Sequence, residues 1–115
     1  MARTGLLRRT RDYDEVYRRG RRRRSPHFLV IAHHTGGKEL RIGISVQKRL
    51  GGAVVRNRIR RRIREAIRQD DWSAGRGCDV VVQPRLAAVT RVEFAAMKEE
   101  LGKLIRTTLS TLNKE

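Results

Sequence analysis

Between Val54 and Gln69 the chain carries seven arginines and one acid, Glu65, threaded with apolar residues at Val55, Ile59, Ile63, Ala66 and Ile67. The spacing is helical. At about 100° per residue the five apolar side chains fall within an arc of about 120°, the stripe of a helix that packs on a core. Arg58 and Arg62 flank the stripe on one side, Arg56, Arg60 and Arg64 on the other, and Asn57 and Arg61 lie opposite. Such a helix commits one face to a core and the rest of its surface to positive charge. Like charges at i, i+4 oppose helix formation. The pairs Arg56–Arg60, Arg58–Arg62, Arg60–Arg64 and Arg64–Arg68 together cost about 1 kcal/mol. Arg61–Glu65 is the complementary pair at that spacing. Ordinary solvated faces mix signs and this one does not, so the helix suits a polyanion that would remove the cost.

The excess charge is confined to one part of the chain. Residues 1–68 hold 21 Lys and Arg against 5 Asp and Glu, whereas residues 69–115 hold 7 of each, so the whole net charge of +16 lies upstream of Gln69. One face or end of the fold is therefore expected to be strongly positive. Net charge speaks to partners rather than to fold. The cations are 23 Arg and 5 Lys, and the planar guanidinium fork suits phosphate oxygens. At 115 residues and 38% hydrophobic content, the chain reads as one polyanion-binding domain, 1–115, with a modest core and a loose basic start over residues 1–9. Cys78 stands alone, so no internal disulfide forms. With no signal-peptide pattern and no run of about 18 apolar residues, the expectation is a soluble, intracellular, cytoplasmic protein without a membrane partner.

Local patterns predict the elements. A helix is expected over "TRDYDEVYRRG", with Asp12 as cap, Glu15 completing a capping box, and Gly20 as the residue past its end. Tyr13, Val16 and Tyr17 form its stripe. "HFLVIAHH" reads as a strand apolar on both faces, after a possible short strand at 21–24. In "ELRIGISVQ", Leu40, Ile42, Ile44 and Val46 want a core, while Arg41, Gly43, Ser45 and Gln47 make a small polar face. "CDVVVQ" is a further strand, stopped by Pro84. Thr90 and Glu93 offer a second capping box, opening a helix with a core stripe of Phe94, Met97, Leu101, Leu104, Ile105 and Leu112. The fold class is α/β in the α+β sense: a two-layer sandwich of one mixed sheet with about three helices packed on it.

Two of five aromatics, Tyr13 and Tyr17, share one helical stripe just before the arginine tract Arg21, Arg22, Arg23 and Arg24. Aromatics beside arginines suit single-stranded nucleic acid, where bases stack and phosphates pair. Core packing explains the two tyrosines equally well. Trp72 reads as a cover over the core edge. Catalytic groups are sparse. Asp70, Asp71 and Asp79 read as capping and surface residues, and the adjacent His33 and His34 point to opposite sides of a strand. Neither a metal cluster nor a catalytic triad order is present in the pattern.

The stretch "RIGISVQKRLGGAVVRNRIRRRIREAIR" resembles the signature of the bacterial ribonuclease P protein subunit, with its Arg-Asn-Arg at Arg56, Asn57 and Arg58. "RDYDEVYRRG", "RSPHFLVI" and "CDVVVQPR" extend the resemblance over nearly the whole chain. It implies an α/β sandwich with a left-handed β-α-β crossover around the arginine helix. It also implies a role in an endonuclease that removes 5′ leaders from precursor tRNA, with catalysis and Mg²⁺ belonging to the RNA subunit and substrate, and no catalytic residue or metal ligand in this chain. The protein would be a monomer in a one-to-one ribonucleoprotein. By this resemblance Arg56, Asn57, Arg58, Arg60, Arg61, Arg62, Arg64 and Arg68 contact the catalytic RNA. Tyr13, Tyr17, Ile31, Lys48 and Arg49 form a cleft for the single-stranded leader, although Ile31 stands where an aromatic is common. Arg21, Arg22, Arg23 and Arg24 are further phosphate contacts. The competing reading is a structural RNA-binding protein of ribosomal type, without a part in cleavage.

Overall fold

The computed structural model describes residues 4–72 and 75–113. In chain order these form β1 (Thr4–Leu6), α1 (Thr10–Arg19), β2 (Arg21–Arg24), β3 (Phe28–His34), β4 (Leu40–Ile44), α2 (Ala53–Arg68), β5 (Cys78–Pro84) and α3 (Phe94–Asn113), with 3-10 turns at Lys48–Leu50 and Ala87–Thr90. The strands make one sheet in the order β1-β4-β5-β3-β2. β1 and β5 run parallel to β4, while β3 is antiparallel to both β5 and β2. The central pair β3–β5 is in register from Phe28 opposite Pro84 to His34 opposite Cys78. Since β4 and β5 are parallel neighbours joined through α2, the arginine helix is itself the crossover of a β-α-β unit.

Strand alternation sorts the apolar side chains onto two faces. On one face Phe28, Val30, Ala32, Leu40, Ile42, Val80 and Val82 meet Ile59, Ile63, Ala66 and Ile67 of α2 and Met97, Leu101, Leu104, Ile105 and Leu109 of α3. This is the main core, and it uses the α2 and α3 stripes read from the sequence. On the opposite face Ile31 and Val81 meet Leu7 and Val16, with Tyr13, Tyr17 and Leu29 packed around them. The two-layer expectation thus describes the main core, and α1 adds a smaller layer on the other side. Trp72 is buried and donates its indole N–H to the Ile67 carbonyl at 2.9 Å, closing the end of α2.

Several local expectations are corrected. The start of the chain is not loose from residue 4 onward. Thr4–Leu6 pair with Leu40–Ile42, and Leu7 is buried. Residues 1–3 lie outside the described residues. α1 begins at Thr10 with Arg9 at the cap position and no side-chain cap; Asp12 instead faces Arg41 at 3.5 Å. Gly20 does follow α1, but at φ −77°, so no left-handed turn requires it. Close approach does: a Cβ at 20 would lie 2.5 Å from the Val16 carbonyl oxygen and 2.6 Å from Ile31 Cγ2. The cap of α3 falls to Glu93 alone, whose carboxylate accepts from the backbone N–H groups of Ala95 and Ala96 at 3.0 and 3.1 Å. Thr90 belongs to the preceding 3-10 turn and donates to the Ala87 carbonyl.

Candidate nucleic-acid interface

Anchoring α2 by its apolar stripe leaves its arginines in three environments. Arg58, Arg61 and Arg64 are exposed, and among the described residues their side chains make no hydrogen bond or ion pair. Exposed Asn57 accepts from Arg60 at 3.1 Å, which holds the Arg60 guanidinium against the helix without neutralising it. Arg68 is bonded to Glu65 at 2.8 Å. Glu65 therefore pairs at i+3, and the Arg61–Glu65 pair expected at i+4 does not form. Hydrogen bonds from Arg68, then from Gln69, hold the Glu65 carboxyl below its ordinary range.

Arg62 faces inward. Its guanidinium donates to the Thr90 carbonyl at 3.0 Å and the Val92 carbonyl at 2.5 Å, and sits 5.9 Å from the centroid of Phe94. It ties α2 to the turn that opens α3, so both terminal nitrogens are committed inside the protein, while its buried Nε lacks a partner among the described residues. Arg56 is half-buried, and its Nε lacks a partner among the described residues.

On the opposite face of the sheet α1 lays Tyr13 over Gly43. A Cβ at 43 would collide with the Tyr13 ring and hydroxyl. The small face of β4 legible in the sequence thus admits a tyrosine of the same chain. Tyr13 donates to the Leu7 carbonyl at 3.2 Å, and burial, reinforced by Tyr17, raises its pKa, so the phenol stays a neutral donor near pH 7. Tyr17, also half-buried, has its ring centroid 6.4 Å from that of Tyr13, and its hydroxyl accepts from Gln83 Nε2 at 3.1 Å. Between them Val16 seals α1 onto Ile31 and Val81. Ile31 is 0% exposed, so it is the floor beneath α1 and presents no surface of its own.

Lys48 and Arg49 are exposed in the 3-10 turn after β4. Arg49 is held by Gln47 Oε1 at 2.7 Å and the Arg85 carbonyl at 3.2 Å, at the end of the sheet where Gln83 meets Tyr17. A groove of about 500 Å³ runs past the β1 edge and joins the two surfaces. Tyr13, Gly43 and Ile44 line one side of it, and Arg60, Arg64 and Arg68 of α2 the other.

The tract Arg21–Arg24 is the outer edge strand β2, exposed throughout. Arg22 donates to the Tyr17 carbonyl at 2.8 Å, while Arg23 donates to Thr111 Oγ1 at 2.9 Å. The residues not singled out from the sequence are the supports. Gln83 holds Tyr17. Arg85 holds Arg49 through its carbonyl and donates to the Ser25 carbonyl at 2.8 Å. Gln83 had a readable signal, a polar residue interrupting the apolar run of β5. Asp79, expected as a capping or surface residue, is instead buried and takes two hydrogen bonds from Arg41, at 2.8 and 2.6 Å, which pin β4 to β5. Among the described residues no group of three or more His, Cys, Asp or Glu converges to hold a cation, and no helix is long and apolar enough to cross a membrane.

The family model described as Ribonuclease P matches residues 1–109. The ribonuclease P protein component of Carboxydothermus hydrogenoformans is 36% identical over 103 residues, covering 88% of each chain. That of Roseiflexus castenholzii is 37% identical over 106 residues, covering 92% of this chain and 87% of its own. The solved ribonuclease P protein of Thermotoga maritima superposes with a TM-score of 0.78 at 32% identity, covering 88% of this chain and 96% of its own.

Proposed function

This chain belongs to the ribonuclease P protein family, and on that footing we propose that it binds two RNAs on two surfaces: the catalytic RNA along α2, and the single-stranded 5′ leader of precursor tRNA beside α1. Membership places it in the tRNA-processing ribonucleoprotein nuclease. In the proposed division of labour the RNA subunit performs the cleavage in the cytoplasm, and Mg²⁺ held by RNA and substrate supplies charge at the scissile phosphate. The protein, one copy per catalytic RNA, supplies binding and orientation.

The observation that carries this reading is the separation of uncommitted cations from aromatics. Arg58, Arg61 and Arg64 face solvent on α2 with no acidic partner among the described residues. Tyr13 lines the groove from α1, with Tyr17 beside it, ring centroids 6.4 Å apart. Phosphates would replace the missing anions around α2. Half-exposed Tyr17, fixed at its hydroxyl by Gln83, offers a ring on which a base can stack, with Lys48 and Arg49 nearby for its backbone. Such contacts read charge and base faces, so the leader would be held with little regard to sequence. Holding both RNAs at once would orient the scissile bond, which lowers the entropic cost of reaching the transition state. Arg62 and Ile31 take supporting roles here, as clamp and floor.

The test is reconstitution. Purified protein added to the catalytic RNA at low Mg²⁺ is expected to accelerate release of the leader from precursor tRNA. No acceleration, at any salt concentration where both RNAs stay folded, would reject the proposal and leave a structural RNA-binding role.

A further inference from the structure

The four arginines of β2 form two surfaces. β2 pairs antiparallel with β3 so that Arg22 lies opposite Ile31 and Arg24 opposite Leu29, while Arg21 lies opposite Ala32 and Arg23 opposite Val30. Ile31 and Leu29 belong to the α1 face, whereas Ala32 and Val30 belong to the α3 face. Directly cross-strand partners share a face. Arg22 and Arg24 therefore border the tyrosine layer, and Arg21 and Arg23 border α3, where Arg23 is bonded to Thr111.

The registers continue across the sheet. Leu29 is opposite Gln83 on β5, so Gln83, Leu29 and Arg24 form one row perpendicular to the strands. Gln83 anchors the Tyr17 hydroxyl, Leu29 is half-buried, and Arg24 is exposed. With neighbouring strands about 4.8 Å apart, Arg24 stands about 10 Å beyond Gln83, a step or two of a single-stranded backbone. Arg22, bonded to the Tyr17 carbonyl, stands beside the same exit. Neither cation meets an acidic partner among the described residues, so both keep their charge for an outside anion.

We infer that Arg22 and Arg24 extend the leader path past Tyr17 to the outer edge of the sheet, and bind phosphates of leader nucleotides lying farther from the cleavage site than those in the cleft. Arg21 and Arg23, carrying equal charge on the opposite face, take no part. The inference rests on the proposed leader cleft and adds to it a length: precursors with long leaders gain affinity that short-leader precursors lack.

The experiment measures affinity of the reconstituted holoenzyme for mature tRNA, for a precursor whose leader ends at Tyr17, and for one long enough to cross β2. The wild type is compared with Arg22→Gln/Arg24→Gln and with Arg21→Gln/Arg23→Gln, which change net charge equally at the same exposed strand. Thermal unfolding confirms that both doubles fold. The first double is expected to weaken only the long-leader precursor. Leaving two phosphates of a single strand without their arginines reduces the log–log salt slope by about 1.4, so affinity falls about sevenfold less between about 50 and about 200 mM salt. An Arg22→Lys/Arg24→Lys double retains most of the wild-type slope. Equal losses from the two Gln doubles would mean diffuse charge and overturn the inference. Equal losses for all three RNAs would assign these arginines to the catalytic RNA or the tRNA body, and would overturn it too, as would no loss. Tyr17→Ala, run in parallel, separates the two readings. If it weakens both precursors relative to mature tRNA while the Arg22/Arg24 double has no effect, only the extension fails. If it too has no effect, the leader cleft itself fails.

Discussion

Arg62 donates to two backbone carbonyls at the α2–α3 junction, and its neighbour Arg61 donates to nothing among the described residues. Hydrogen bonds from a charged donor contribute more than neutral ones, so Arg62→Ala is expected to cost about 2 kcal/mol in denaturant unfolding. Arg61→Ala should leave stability within about 0.5 kcal/mol, as exposed substitutions do, and weaken affinity for the catalytic RNA. An Arg62→Ala protein of unchanged stability would contradict the clamp. The sequence distinguishes these arginines only by their angle on the helix. A helical wheel places Arg62 on a shoulder of the stripe, but which loop that shoulder meets depends on α3, far along the chain. Glu100 makes a similar point. Burial opposes its charge, yet hydrogen bonds from Ser25 and from the His27 ring and backbone hold its carboxyl below the ordinary range. A lowered folded pKa means stability that is present above the ordinary glutamate value of about 4.3 and lost as pH falls through the lower folded value. Glu100→Gln should therefore flatten the acid limb of a stability–pH curve while leaving its alkaline limb in place. An unchanged acid limb would contradict the assignment.

Elements were legible where periodicity was long. The α2 stripe repeats along the helix, and four of its five predicted residues, Ile59, Ile63, Ala66 and Ile67, are buried, with Val55 half-buried. The α3 stripe likewise enters the core. β1 was not legible, because three residues cannot display alternation and its strand character comes from pairing with β4. Both capping boxes misplaced the helix starts. Asp12 lies inside the first turn of α1 and faces Arg41, and Thr90 belongs to a 3-10 turn. The small polar face of β4 was legible as such, but alternation alone reads equally as a solvated face and does not say that a group of the same chain packs on it. Because that group is Tyr13, Gly43→Ala should force α1 off the sheet. Overpacking of this kind costs about 1–3 kcal/mol, and affinity for leader-bearing RNA should fall with it. A variant with wild-type stability and leader affinity would show that Tyr13 does not depend on this contact.

At the scale of the molecule, charge and chain order are arranged together. The neutral half, residues 69–115, supplies the central strand β5 and the back helix α3, while the basic half supplies both sheet edges, α1 and α2. Positive charge therefore lines two separate surfaces joined by one groove. Composition predicted a polyanion partner, and the Arg56-Asn57-Arg58 signature pointed to the family. The three-dimensional arrangement sets α2 and the tyrosine layer on opposite faces of the sheet, and the proposal of two RNA-binding surfaces rests on that separation.

That separation is tested most directly by two variants measured in two assays. One assay follows assembly of the protein with the catalytic RNA, and the other the ratio of holoenzyme affinities for precursor and mature tRNA. Arg58→Ala is expected to weaken assembly and leave the ratio unchanged, and Tyr17→Ala to leave assembly unchanged and lower the ratio toward one. If either variant shifts both quantities in proportion while remaining folded, the two surfaces act as one and the account is contradicted.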